Sequence, residues 1–161
     1  MSYYPPVSFQ FTVRIAGSKA AVDTGFQEVS GLDAEREVVE LKEGGENRFV
    51  HKLPGAVKAS NLTLKRGMVL ASSPFFTWLK DTFESDLSRP VKPKSITVSL
   101  LDQKQKPLMT WNVVNAWPVK WQIGSLDATQ NQIAMETVEL AYDRVVRKVE
   151  RTLTATGTFA P

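Results

Sequence analysis

The sequence predicts a mainly β domain with a single short α-helix, and three observations carry that prediction. Apolar and polar residues alternate with a period of two in several separate segments, which is typical of half-buried strands. One segment, at about 73–84, changes to helical spacing after a pair of helix-starting residues. The chain has 161 residues, 42% of them hydrophobic, so it is long and apolar enough to bury a core as one domain.

The strands of the amino-terminal half are predicted from alternation. Between Val7 and Ile15 every second residue is apolar, namely Phe9, Phe11, Val13 and Ile15. Further extended segments are expected at about Phe26 to Leu32 and at Val38 to Leu41. The strand after these is expected to place Leu62, Leu64 and Met68 on one face.

A polar excursion separates these strands, and we expect a long extended loop at about 43–57. It carries Gly44 and Gly45 among charged neighbours and closes at Leu53-Pro54-Gly55. No catalytic residue type is gathered in it. A loop of this length in so small a domain usually makes a functional contact, so the excursion is the first candidate for a binding element.

The helix at about 73–84 begins with Ser73 as N-cap and Pro74 in the first turn. Aromatic and aliphatic residues then recur at helical spacing, and the helix is expected to end before Arg89-Pro90. The aromatic stripe could line a ligand pocket. Packing against a sheet explains it better, because so much apolar surface must be covered.

β-structure returns after the helix. Alternation at Ile96, Val98 and Leu100 predicts a strand. The polar stretch from Asp102 to Pro107 is then expected to form a hairpin loop, and the segment from Met109 to Val113 is expected to form the partner strand. Pro118 lacks an N–H, so a bulge or an edge position is expected there before the strand resumes at Val119.

The last element is ambiguous. Apolar residues between Ala134 and Val149 fit a helical stripe, and the segment 133–142 also fits a strand with apolar residues on both faces. Local spacing favours the helix. The uncharged, threonine-rich tail beyond Arg151 either frays or adds to the sheet of a neighbour.

Catalysis, cofactor binding and metal binding are not predicted. The chain has no cysteine and one histidine, His51, which we interpret as a loop histidine. Phosphate-binding, dinucleotide, zinc-protease and hydrolase motifs are absent from the sequence, and Glu35, Glu37 and Glu40 fit a solvated strand edge. A non-enzymatic protein is therefore expected.

The amino terminus lacks the basic start and apolar run of a secretory signal, and no stretch is apolar enough for a membrane helix. We therefore expect synthesis in a cytoplasm without a signal peptide or membrane anchor. The net charge of +3 is too small to argue for nucleic acid.

Charge is segregated along the chain. The segment from Asp33 to Glu46 contains six acidic and two basic residues, a local net charge of −4. The segment from Arg144 to Arg151 contains four basic residues and one acidic residue, a local net charge of +3. Such patches could meet head to tail between copies, although two ordinary solvated faces are an equal alternative. The candidate contact residues are Glu37, Glu40, Glu43, Glu46, Arg48, Leu53, Pro54, Arg144, Arg147, Lys148 and Arg151.

A binding module is the alternative from another class. Trp117 and Trp121, with Lys120 between them, could stack bases or sugars on a β-barrel. Trp111 lies within an alternating strand and is more simply a core residue.

Several segments together resemble the tail tube proteins of contractile phage tails and related contractile injection systems. They are FQEVSGLDAEREVVELKEGG, the loop closing at LPG, LTLKRG, SPFFTWL, WNVVNAWPVKW and METVELAYDRV, in that order. The likeness covers about Val7 to Val146, so we expect one tail-tube-like domain at 1–146 and a carboxyl-terminal extension at 147–161.

The resemblance implies an antiparallel β-sandwich or barrel that forms homo-hexameric rings, stacked into a hollow inner tube that a contractile sheath drives through a target envelope. It implies that the segment from Val38 to Val57 is an extended hairpin or loop reaching the next ring, and that the last element is a strand to about Tyr142 or Arg144. Sheath, spike hub or baseplate proteins would be partners, and specific nucleic acid binding would not be expected. The extension also suits a tube-initiating adaptor at the baseplate.

Overall fold

A computed structural model of the protein describes residues 10–16, 23–42, 44–45, 48–68, 73–85, 89–125 and 134–149. The strands are β1 (Gln10–Ile15), β2 (Asp23–Ser30), β3 (Ala34–Leu41), β4 (His51–Ala59), β5 (Leu62–Gly67), β6 (Lys94–Leu101), β7 (Pro107–Ile123), β8 (Met135–Ala141) and β9 (Arg144–Val149). The helix α1 (Pro74–Glu84) lies between β5 and β6.

Seven of these strands form one antiparallel sheet that closes on itself. Their order is β6-β1-β2-β5-β8-β7-β9, and β6 pairs with β7 as well as with β1. Six strands therefore close a barrel, while β9 pairs with the first half of β7. The predicted mainly β fold with one helix is confirmed, and of the two architectures that the resemblance allowed, the barrel is the one that forms.

Strand β7 explains how the barrel closes. Its first half pairs with β6 and β9, and its second half pairs with β8. The change of partner coincides with a left-handed backbone at Asn115 (φ 54°) and a bulge between Pro118 and Lys120. The bulge expected at Pro118 is confirmed, and the strand is continuous through it.

The core fills the barrel and the space under α1. Ser73 caps the helix by accepting a hydrogen bond from the Phe76 amide at 3.1 Å, as predicted. Phe75, Trp78 and Leu79 on one helix face are buried against the strands. The aromatic stripe is thus core, because the helix covers one face of the barrel with it.

Strands β3 and β4 form a separate two-stranded sheet, the hairpin, which is not hydrogen-bonded to the barrel sheet. It occupies much of the range expected as an extended loop at 43–57: from His51 onward the chain is strand β4. The extended hairpin implied by the resemblance is therefore the better description, and His51 lies in a strand instead of a loop.

Two expectations from local spacing were wrong, one for the last segment and one for Met68. The last described segment is two strands, β8 and β9, and not the helix that local spacing favoured, because both pair along β7, a partner distant in sequence that local periodicity does not register. The strand to about Tyr142 or Arg144 that the resemblance implied is confirmed, since β8 ends at Ala141. Strand β9 runs to Val149, and the division into a domain at 1–146 and an extension at 147–161 stays a prediction. Met68 was expected on a buried face, but β5 ends at Gly67 and the Met68 side chain is exposed.

Candidate assembly surfaces

The hairpin exposes apolar side chains on both of its faces. Because directly paired residues share a face, the register places Glu35, Glu37, Val39 and Leu41 with His51, Leu53 and Lys58 on one side, here called the acidic face. The opposite face carries Arg36, Val38 and Glu40 with Lys52, Pro54 and Val57. Val38 is 58% exposed and Val57 55%, while Val39 is 48% exposed on the acidic face.

An isolated two-stranded sheet with apolar residues on both sides has little to hold it in water. Single exposed apolar side chains are ordinary, but a contiguous set on a projecting element marks an interaction surface. Phe49 is also exposed, and its ring makes an edge contact with His51 of β4, with 5.0 Å between the ring centroids. It therefore extends the exposed apolar set of the hairpin. The hairpin is therefore a candidate interaction surface.

The charge of the predicted acidic segment is partly compensated inside the hairpin. Lys58 lies 3.2 Å from the Glu37 carboxylate, and Lys52 is the register partner of Glu40. On the acidic face two carboxylates remain against one lysine. Among the predicted contact residues, Glu37, Glu40, Leu53 and Pro54 lie on the hairpin strands and Arg48 just before β4. Glu43 and Glu46 lie outside the described residues.

The hairpin is held at its base by a set of contacts that sequence reasoning missed. Gly31 has φ +83°, and a Cβ there would lie 1.9 Å from the Asn61 carbonyl oxygen. The Tyr142 hydroxyl donates to the Gly31 carbonyl at 2.7 Å, and Ser60 donates to the Asp33 carboxylate at 2.8 Å. Burial, and secondarily the Asp33 charge, raise the pKa of Tyr142. These contacts fix the direction in which the hairpin leaves the barrel.

The predicted basic residues Arg144, Arg147 and Lys148 lie on β9, whose only partner among the described residues is β7. Val146 and Val149 on the same strand are also exposed. Since Tyr142 holds the hairpin base and β9 begins two residues later, this strand starts beside the hairpin. Arg151 lies outside the described residues.

At the other end of β5 the barrel buries an ion pair. Arg66 on β5 donates from Nε to the Glu136 carboxylate of β8 at 2.6 Å, and both side chains are more than nine-tenths buried. Trp121 donates to the second Glu136 oxygen at 2.7 Å. The guanidinium also lies over the rings of Phe26 and Phe75. Sequence reasoning did not single out this pair. The period-two alternation that begins at Leu62 and Leu64 places Arg66 on the same buried face, and this alternation could have predicted a buried arginine.

A cavity of about 270 Å³ lies between the second half of α1 and the segment leading into β6. Trp78 and Asp81 line its helix side, and Arg89, Lys92 and Lys94 line the other. The Trp78 indole donates to the Lys92 carbonyl at 3.1 Å, and the Lys94 ammonium lies 5.7 Å from the center of the Trp78 ring. Three of the four charged residues that line this cavity in the described chain are cations.

The tryptophan pair proposed as a stacking platform is divided in the structure. Trp121 is half-buried, makes edge and tilted contacts with Phe76 and Phe83, and donates its N–H to Glu136, so its ring is engaged in packing. Trp117 is exposed. Lys120 lies 3.5 Å from Glu139. Trp111 packs against the core, as expected.

Within the described part of the chain, no group of three or more potential ligands is placed to hold a metal ion. Nor does any helix of that part have the length and apolar character needed to cross a membrane.

Comparison with known proteins identifies the family. The family model of the T4-like virus tail tube protein gp19 matches residues 7–146. A comparison with curated proteins found no match. The chain therefore belongs to the T4-like tail tube protein family, as its motifs indicated. Because this is a family of structural tube proteins, membership confirms the prediction of a non-enzymatic protein.

Solved structures of injection particles contain similar chains. A chain in the cryo-EM structure of the extracellular contractile injection system PVC, sheath-tube complex in the extended state, is 34% identical with a TM-score of 0.73, over 91% of this chain and 93% of that one. One in the baseplate of the anti-feeding prophage is 30% identical with a TM-score of 0.72, over 92% and 98%. Hcp1 from Salmonella typhimurium, 12% identical with a TM-score of 0.55 over 96% and 92%, shares the fold.

Proposed function

We propose that this tail tube family member is the repeating subunit of the inner tube of a contractile particle. Copies form rings, and rings stack into a hollow tube that a surrounding sheath drives through a target envelope. The observation that carries the proposal is the hairpin, which exposes apolar side chains on both faces and is not covered by the described residues of its own chain. Stacked rings would supply that cover.

The hairpin has the reach for a contact between rings. Eight residues of extended chain in β3 span about 25 Å, which is comparable to the width of a small domain. Its anchored base at Gly31 and Tyr142 keeps the direction fixed, so that each ring would present its hairpins in register. The residues we assign to this contact are those of the hairpin already predicted from the sequence, including Glu37, Leu53 and Pro54.

Contacts within a ring are assigned to the barrel side. Strand β9 is the edge strand of the described sheet and carries exposed valines, and a neighbouring copy could extend the sheet there. Arg144, Arg147 and Lys148 would then lie at the contact between neighbours. A hexamer is favoured because the baseplate structure holding a 30% identical chain has six-fold symmetry.

The partners follow from the same relatives. A 34% identical chain occurs in a sheath-tube complex, so we propose that the tube is enclosed by sheath subunits and meets spike hub or baseplate proteins at its end. We further propose synthesis in a bacterial cytoplasm before assembly into a phage tail or an extracellular injection particle.

Negative-stain microscopy of the purified protein tests the proposal. Six-fold rings or tubes are expected, with the ring fraction rising with protein concentration. A protein that stays monomeric at high concentration, and that binds single-stranded oligonucleotide with a steep salt dependence, would favour the nucleic acid alternative through Trp117 and Lys120.

A tube-initiating adaptor is the second candidate. It is favoured by the 30% identical chain in a baseplate structure, and by an extension at 147–161 that could meet a protein other than a tube subunit. The two candidates differ in how far the chain assembles alone. A tube subunit should form tubes of many rings, whereas an adaptor should stop at single or paired rings.

A further inference from the structure

The cavity beside α1, here called the basic cleft, is lined by charged residues that are not part of the buried barrel core. Its cationic wall is formed by Arg89, Lys92 and Lys94, and its helix wall by Trp78 and Asp81. Arg89 and Lys92 are exposed at its mouth, while Lys94 lies against the Trp78 ring deeper in. An aromatic floor with cations at the rim is suited to a carboxylate-bearing segment that also carries apolar side chains.

The basic cleft and the hairpin are at opposite ends of the barrel. Strand β2 ends at Ser30, next to the hairpin, and its far end at Asp23 pairs with Val13 of β1. The end of β1 pairs with the start of β6, where Lys94 lines the cleft. Contacts between two different surfaces at opposite ends join copies head to tail and propagate.

The charges of the hairpin match the cleft. Its acidic face carries Glu35 and Glu37 against Lys58, together with Val39 and Leu53. The basic residues of β9 do not serve the same purpose, because β9 begins beside the hairpin base, at the same end of the molecule. A carboxylate partner across the ring junction must therefore be met by cations at the helix end.

We propose that the basic cleft of each copy receives the acidic face of the hairpin of the next copy in the tube. Glu35 and Glu37 meet Arg89 and Lys92, and the apolar side chains beside them cover the rim of the cleft, including Val91. The inference rests on the proposed tube function and specifies the receptor site for the hairpin. Charge pairing sets the direction and register of stacking, while apolar burial supplies most of the affinity.

Charge reversal on each side, and on both together, tests the pairing. The cleft variant is Arg89→Glu with Lys92→Glu, and the hairpin variant is Glu35→Lys with Glu37→Lys. All four positions are exposed, so folding should be retained, which circular dichroism and thermal melting check. Each variant alone should form rings but require at least about ten-fold more protein to stack, since like charges then face each other at every junction.

The variant that combines all four reversals should regain stacking to within about three-fold of the wild type, because opposite charges face each other again. A matched control, Arg89→Lys with Lys92→Arg, keeps the charge and should stack normally. The pairing is overturned if the cleft variant stacks like the wild type, or if the four-fold variant is no better than either parent. Failure of the proposed function looks different, since the wild type itself would then form neither rings nor tubes.

Discussion

The buried ion pair between Arg66 and Glu136 allows a quantitative test of how the barrel is held together. Replacing Glu136 with alanine removes the carboxylate that pairs with the Arg66 guanidinium, a side chain that is 4% exposed. Breaking a buried pair by removing one partner costs about 3–5 kcal/mol. Trp121 loses its acceptor too, and the rings of Phe26 and Phe75 offset only part of the loss.

For a domain of this size, about 1 kcal/mol lowers the melting temperature by about 2–4 °C, so Glu136→Ala should lower it by about 6–20 °C. Urea unfolding followed by tryptophan fluorescence gives the free energy directly. All variants must be compared at one protein concentration, because assembly adds to apparent stability.

The same strand supplies the control. Lys65, next to Arg66, pairs with Glu28 at 2.9 Å on the exposed side, and Glu28→Ala should cost less than about 1 kcal/mol. The double variant Arg66→Met with Glu136→Leu removes both charges and should recover most of the loss. If Glu136→Ala costs no more than Glu28→Ala, the reasoning from burial is refuted.

Three further predictions concern the hairpin. Gly31→Ala should destabilise the fold by several times more than Gly25→Ala, since both glycines have positive φ but only Gly31 faces a backbone oxygen, and thermal melting compares them. Because the pKa of Tyr142 is raised in the folded protein, its stabilising contribution is fully present below the ordinary pKa of 10.0 and is lost as pH rises through the raised pKa, so Tyr142→Phe should flatten the loss of stability measured as pH rises above 10. Deleting 43–48 should preserve the melting temperature yet weaken ring stacking seen by microscopy, and normal tubes would exclude this segment as a stacking element.

The fold could be predicted in segments where the apolar residues follow either the strand spacing or the helical spacing, but not both. Strand β1, helix α1 and the bulge at Pro118 follow from alternation, capping and the missing amide of proline. The segment 134–149 could not be assigned locally, because its apolar residues satisfy both the helical and the strand period. Pairing with strands that lie elsewhere in the sequence decides for strand: β8 pairs with β5 and β7, and β9 pairs with β7.

The sequence drew attention to the hairpin segment but did not show what distinguishes it. Charge counting drew attention to the segment from Asp33 to Glu46, yet the register places Lys52 and Lys58 of β4 across from its acids. What distinguishes the hairpin is the exposure of Val38 and Val57 on one face and Val39 on the other. Sequence alone could not reveal this, since an apolar residue in a strand ordinarily indicates burial within the same domain.

Asymmetry between the two ends of the barrel is what makes stacking the natural use of this molecule. A self-complementary dimer needs one patch that contacts itself, whereas here a projecting hairpin leaves one end and a recessed basic cleft lies at the other. Such surfaces satisfy each other only head to tail, and the contact then repeats. The clamp of Gly31 and Tyr142 matters for this reason, since a hairpin that is marginal by itself must leave the barrel in one fixed direction for every junction to match.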